Sequence, residues 1–188
     1  MLASSVIYFG VVLEESEAEN YFKALEAEVV WHQDELIIFG RKIITNRLVA
    51  WYGDKDYEYT YSHNSKRALP WSPSLVKLKQ LVETQTGFKF NSCLLNYYHH
   101  GEDGMGWHSD DEETLQKPIH IASLSLGAKR RFDFRHKQSK QKESLWLENG
   151  SLLLMKHPNQ EEYQHCLPKT KKVKKARMNL TFRKMKEV

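Results

Sequence analysis

The sequence predicts a mainly β fold, a sandwich or jelly roll with helices as an outer buttress. Three observations predict it. Beyond Gly87, six or more short apolar or alternating stretches follow one another, separated by turn signals such as Asn149-Gly150 and His157-Pro158-Asn159. No convincing helical pattern interrupts them. The two clear helical patterns both lie before Gly87, which leaves them as an outer buttress to the strands that follow.

Taken in order, Val6 to Leu13 reads as a strand. It is far shorter than the ~18 residues of a membrane span. It also lacks the basic start and cleavage site of a signal peptide, and Glu14 and Glu15 follow at once. Ser16 with Glu19 predicts a capping box, and Phe22, Leu25 and Val29 give the helix behind it one apolar stripe. Strands are predicted over Leu36–Phe39, Leu48–Tyr52 and Glu58–Tyr61, with a turn at Tyr52-Gly53-Asp54. Ser72 caps a second helix with Pro73 at its first position; Leu75, Leu78 and Val82 form its buried face, and Gly87 ends it. The remaining strands are Ser92–Tyr98, His120–Leu126, Arg131–Arg135, Leu145–Leu147, Leu152–Met155, Gln164–Leu167 and Met178–Phe182.

At 188 residues the chain is one domain long and can bury a core without disulfides. With 40% hydrophobic and 28% charged residues it is neither collagen, coiled coil nor disordered. Two cysteines, Cys93 and Cys166, make no disulfide framework, so a reducing compartment is expected. No apolar run suits a membrane, and the expectation is a soluble, intracellular monomer, in the cytoplasm of a bacterium or the nucleus of a eukaryote. The net charge of +4 is unevenly spread. Residues 1–36 hold eight acidic side chains and one basic, residues 128–142 seven basic and one acidic, and residues 169–188 nine basic and one acidic. The C-terminal half therefore suits a polyanion, against the plainer reading of solvated lysine-rich loops.

Three constellations carry chemistry. In Trp107-His108-Ser109-Asp110 an extended backbone points His108 and Asp110 to one face, and His165 lies far along the chain on another predicted strand. Two histidines and one carboxylate form the facial triad of non-haem Fe(II) oxygenases, although among nine histidines an H-x-D triplet also arises by chance. Arg177, Asn179, Thr181 and Arg183 alternate with Met178, Leu180 and Phe182, which sets polar side chains on one face and apolar ones in a core. Two such arginines can hold a dicarboxylate, or else lie solvated on an edge strand. Six strand residues span about 20 Å, so the two must lean together or the strand must bend. Asn96 and Tyr98 share a face and offer an amide and a phenol to the same ligand, or form part of an ordinary aromatic strand.

Together these segments resemble the AlkB family of Fe(II)- and 2-oxoglutarate-dependent dioxygenases, especially its animal-type nucleic-acid repair members. The resemblance runs from about Leu36 to Lys184, through Asn-Tyr-Tyr at 96–98, Trp-His-Ser-Asp-Asp-Glu at 107–112, Ala-Ser-Leu-Ser-Leu-Gly-Ala at 122–128, Phe-Asp-Phe-Arg-His-Lys at 132–137, Gly-Ser-Leu-Leu-Leu-Met at 150–155 and Arg-Met-Asn-Leu-Thr-Phe-Arg at 177–183. It implies a double-stranded β-helix over 91–188, with a helical buttress and nucleotide-recognition lid over 1–90, in a single domain of residues 1–188. It implies His108, Asp110 and His165 as iron ligands, and Asn96, Tyr98, Arg177, Asn179, Thr181 and Arg183 at the 2-oxoglutarate site. Arg177 with Tyr98 would take the distal carboxylate, and Arg183 with Asn96 the one nearest the metal. Fe(II), 2-oxoglutarate and O2 would then hydroxylate the N-methyl group of 1-methyladenine or 3-methylcytosine. Formaldehyde, succinate and CO2 leave, and the base is restored in DNA, or in RNA as the alternative. A non-catalytic nucleic-acid binder would instead need a closed, structural metal site, for which paired arginines have no use.

The substrate base must be flipped out to reach such a metal. Asp111 and Glu112 can pair with its positive charge, or form a solvated acidic loop with Glu113. Tyr59 and Tyr61 resemble the family's lesion pocket, while also fitting a plain hairpin strand. Arg130, Arg131, Arg135 and Lys137, with the lysines of 169–175, are expected at phosphates. Phe39, in Ile38-Phe39-Gly40-Arg41, is either a wedge that fills the gap left by the flipped base or a core residue. If it is the wedge, Phe39→Ala lowers turnover of a methylated duplex more than that of the same lesion in a single strand. Equal losses would assign Phe39 to the core.

Overall fold

The computed structural model describes residues 4–38, 41–61 and 64–187, and within these the side chains other than those of 34–43 and 59–66. In chain order the elements are β1 (Val6–Val11), α1 (Glu15–Glu28), β2 (His32–Ile38), β3 (Arg41–Gly53), β4 (Glu58–Tyr61), β5 (Asn64–Arg67), β6 (Leu69–Pro70), α2 (Pro73–Thr86), β7 (Ser92–Tyr98), β8 (Met105–His108), β9 (Ile121–Gly127), β10 (Arg130–His136), β11 (Lys142–Leu147), β12 (Ser151–Met155), α3 (Asn159–Glu162), β13 (Tyr163–Leu167) and β14 (Arg177–Arg183).

A large sheet runs β1-β12-β9-β14-β7-β3-β2, with β6 parallel to β3; a small sheet runs β11-β10-β13-β8; β4 and β5 pair with each other. The alternation along β14 sorts its side chains as predicted. Met178, Leu180 and Phe182 join Cys93, Leu95, Ala122, Leu124, Leu152 and Leu154 in a core roofed by Leu25 and Val29 at α1 and by Leu75, Leu78 and Val82 of α2. Each fully buried leucine there contributes about 2 kcal/mol. The opposite face of the large sheet meets the small sheet across a second core, in which Tyr98, Ile121, Leu153 and Met155 pack with Phe132, Phe134, Leu147 and Leu167. The mainly β sandwich with flanking helices is therefore what forms. Among the described residues no helix is long and apolar enough to cross a membrane.

The second helix starts as its sequence predicts: Ser72 Oγ accepts the Leu75 N–H, Pro73 opens the first turn, and Gly87 closes it in the left-handed region. The first helix differs. Its N-cap is Glu14, whose carbonyl accepts the Ala18 N–H at 2.9 Å, and no side chain caps it, so the Ser16–Glu19 capping box does not form. Ala18 is completely buried against the core, and the helix starts two residues earlier than a Ser16 cap would place it. The turn before β12 fixes this corner. Gly150 has φ +74°, and a Cβ there would come within 2.5 Å of the Leu13 carbonyl oxygen. Short β8 and the single turn of α3 lie where no strand or helix was predicted.

Arg130 corrects another expectation. Strand alternation turns it inward while Arg131 faces out. It is 1% exposed, and its guanidinium donates to the carbonyls of His100, Gly101, Asp103 and Pro168 at 2.8–3.2 Å. It staples two loops to β10 and is not presented to phosphates. Arg130→Ala leaves four carbonyls without this donor and is expected to cost about 3 kcal/mol, read as a lower urea midpoint. A loss below about 0.5 kcal/mol, the usual scale of a surface substitution, would show that the loops hold without it.

Candidate active site

His108 ends edge strand β8 and stands directly across from His165 on β13, so antiparallel pairing alone brings the two rings to 4.3 Å. Asp110, two residues on, sets its carboxylate 3.8 Å from His108 Nε2 and 3.6 Å from His165 Nε2. One ligand atom from each of the three residues lies within 4.8 Å of the others, and among the described residues this is the one such cluster of metal-binding groups.

The donors are in the right chemical state. His108 Nδ1 lies 2.8 Å from the Gly106 carbonyl, which can only accept, so Nδ1 carries a hydrogen and Nε2 is the nitrogen turned to the triad. Burial pushes His165 down to about 4, against the pull of Asp110, so at neutral pH this ring is uncharged. Phe132 stacks on it at 5.3 Å. Burial alone would raise Asp110, but the Arg183 guanidinium beside it holds it below the usual carboxylate range. Its backbone N–H donates to Gln160 Oε1 at 2.9 Å, and Ser109 Oγ donates to the Tyr163 carbonyl. The His108 side chain stays 35% exposed, so the triad is approachable from one side. Two imidazole nitrogens, an anionic carboxylate and an open side fit Fe(II) and do not make a closed structural site.

Beside the triad lies the polar face of β14. Register places Arg177 opposite Tyr98 and Asn179 opposite Asn96. Arg177 is 2% exposed and lies 5.6 Å over the Tyr98 ring, donating from Nη2 to Ser125 Oγ at 2.9 Å. Its Nε is buried without a partner, and among the described residues no carboxylate lies within ion-pair distance of it. Burial lowers it to about 10, so it remains a cation at neutral pH. A buried cation so poorly paired suits an incoming anion. Arg183 donates from Nη2 to Asp110 and from Nη1 to Glu112, each at 2.8 Å, and its Nε is likewise buried and unpartnered. The carboxylates raise Arg183 against the opposite effect of burial. The two arginines thus serve separate ends of the strand instead of meeting at one point. Asn179 donates to Ser123 Oγ and to the Leu124 carbonyl and accepts from Thr181, so these two residues brace β14 against β9.

The acidic pair is divided. Glu112 is held by Arg183, whereas Asp111 is exposed and 4.0 Å from Lys137. Lys137 also donates to the Gln160 carbonyl. Arg131 pairs with Asp133, and Arg135 donates to Gln164 and lies over Trp107. Tyr59 and Tyr61 stand opposite Lys66 and Asn64 in the β4–β5 pair. Phe39 lies outside the described residues. Sequence reasoning missed Ser125 and Gln160. The alternation Ser123-Leu124-Ser125 carried a signal for the first. Gln160 had none, because it depends on a single helical turn.

A family model described as the 2OG-Fe(II) oxygenase superfamily matches residues 5–183. DNA oxidative demethylase ALKBH2 of Homo sapiens is 40% identical over 94% of this chain and 72% of its own length. ALKBH2 of Bos taurus is 39% identical over 94% and 68%. Alpha-ketoglutarate-dependent dioxygenase alkB homolog 3 of Homo sapiens is 37% identical over 96% and 66%. The solved structure of OsALKBH1 superposes with a TM-score of 0.72 at 15% identity, covering 98% of this chain and 100% of that one, a likeness of fold.

Proposed function

We propose a reaction and a substrate from one premise: the chain belongs to the 2OG-Fe(II) oxygenase superfamily, and within it to the AlkB family. It is an Fe(II)/2-oxoglutarate-dependent dioxygenase. The proposed reaction is removal of N-methyl groups from 1-methyladenine and 3-methylcytosine in DNA, in keeping with the name carried by the ALKBH2 relatives. The observation that carries it is the convergence of an open-sided His108–Asp110–His165 triad, its carboxylate anionic, with two buried guanidinium groups.

Bound iron, with 2-oxoglutarate and O2, supplies the oxidising power to hydroxylate a methyl carbon. His108, Asp110 and His165 would hold the metal. Arg177, with Tyr98 and Ser125 beside it, takes the distal carboxylate of 2-oxoglutarate, and Arg183 with Asn96 takes the one near the metal. Arg183 has five N–H groups and uses two in the bonds to Asp110 and Glu112, so it can accept the co-substrate without releasing them. Glu112 and Asp111 offer negative charge to the cationic base, Glu112 from a position that Arg183 fixes. By resemblance to the family, Tyr61 would stack on the base and Tyr59 would line the same lesion pocket. Arg131, Arg135 and Lys137 face the flanking phosphates. The hydroxymethyl group on the ring nitrogen then collapses to formaldehyde and the restored base.

Formaldehyde released from a 1-methyladenine DNA oligonucleotide, with Fe(II) and ascorbate, tests this reading. Release that requires 2-oxoglutarate and vanishes in His108→Ala supports it. Release from an RNA oligonucleotide alone would move the substrate to RNA, and succinate formed without formaldehyde from either would overturn base demethylation. Arg183→Ala is expected to raise the apparent KM for 2-oxoglutarate by about tenfold or more. An unchanged KM would remove Arg183 from the co-substrate site.

A further inference from the structure

We propose that the outward face of the small sheet is a track for single-stranded nucleic acid, which leads the strand away from the flipped base. The inference rests on the nucleic-acid reading above and adds a surface that the metal site does not use.

The small sheet turns Phe132, Phe134, Leu145, Leu147 and Leu167 into the core. Of the alternate positions, Arg131, Lys142, Ser144 and Trp146 are exposed to solvent, while Asp133 and Cys166 between them are buried. There Arg131 pairs across the strands with Trp146, and Arg135 with Lys142. Trp146 is 55% exposed and the Arg131 side chain 51%. Trp107 carries the Arg135 guanidinium at 4.4 Å and Lys142 Nζ at 5.6 Å from its ring centre. The one carboxylate within this group, Asp133, is neutralised by Arg131 at 3.0 Å and by the Ser144 hydroxyl at 2.7 Å. What remains outward is cationic and interleaved with indole planes.

That composition discriminates between partners. The centre of a protein interface is depleted in charge. A single strand needs both features at once, cations for its phosphates and aromatic planes for its bases, and tolerates any sequence on them. The face also connects with the chemistry. Trp107 and His108 are neighbours on edge strand β8, and their side chains leave it on opposite sides, His108 toward the metal site and Trp107 onto the outer face. A strand leaving the site over this edge reaches β11 about 14 Å on, across three inter-strand steps.

The experiment is fluorescence anisotropy of a labelled, unmethylated oligothymidine of about 16 nucleotides. Trp146→Ala is expected to weaken binding about tenfold, and Trp146→Phe, which keeps a ring, to recover most of it. Lys142→Gln is expected to lower the slope of log affinity against log salt by about 0.7. Thermal midpoints should match the parent, because Trp146 lies on the surface. Unchanged affinity in Trp146→Ala, the result expected of a protein-docking face, overturns the proposal, and so does a phenylalanine variant no better than alanine. The target here carries no methyl group, so failure of demethylation with binding intact would overturn the reaction and leave the track.

Discussion

Arg183 belongs to the large sheet and Asp110 to the loop that leaves the small one, and the 2.8 Å ion pair between them locks the two sheets together at the site. Breaking a buried pair of this kind by removing one partner typically costs about 3–5 kcal/mol, because the other charge is left uncompensated. The neighbouring geometry builds on that lock. Asp110 is held as an anion, faces both imidazoles and receives a second restraint through Gln160. Pairing of β8 with β13 then needs only to keep His108 opposite His165 for three donors to share one side.

Among the buried arginines, the way Arg130, Arg177 and Arg183 are each satisfied separates their roles. Arg130 has four carbonyl acceptors, which makes it a structural tie. Arg183 has two carboxylates and orients them. Arg177 has one hydroxyl and the face of a phenol ring, too little to compensate a full charge, which leaves it directed at something the chain does not supply. Burial and residue type are the same in all three; the inventory of acceptors is not.

Much of this was legible in the sequence where a local rule and the tertiary structure agree. Ser72, Pro73 and Gly87 framed α2, and the alternation along β14 sorted core from polar face, because backbone geometry alone fixes both. Where the two competed, packing won. The Ser16 cap gave way to a helix that starts two residues earlier and buries Ala18, and Arg130 looked like its neighbour Arg131 until the strand turned it inward. Pairing across distant segments left no local trace, so β8, α3 and the bond from Asp110 to Gln160 went unread, although His108, Asp110 and His165 themselves stood out by residue type.

The strict alternation along β14 has a consequence for how such a protein can change over generations. Odd-numbered positions from Arg177 to Arg183 face the chemistry, and even-numbered positions from Met178 to Phe182 face the helices. Substitutions can therefore drift one property at a time, altering ligand preference at odd sites while the even sites keep the chain folded. Insertion or deletion of a single residue has no such freedom. It exchanges the two sets at once, burying arginines under the helices and turning phenylalanine and leucine toward the metal. A point substitution on this strand disturbs one face, whereas a change of length disturbs both faces at once.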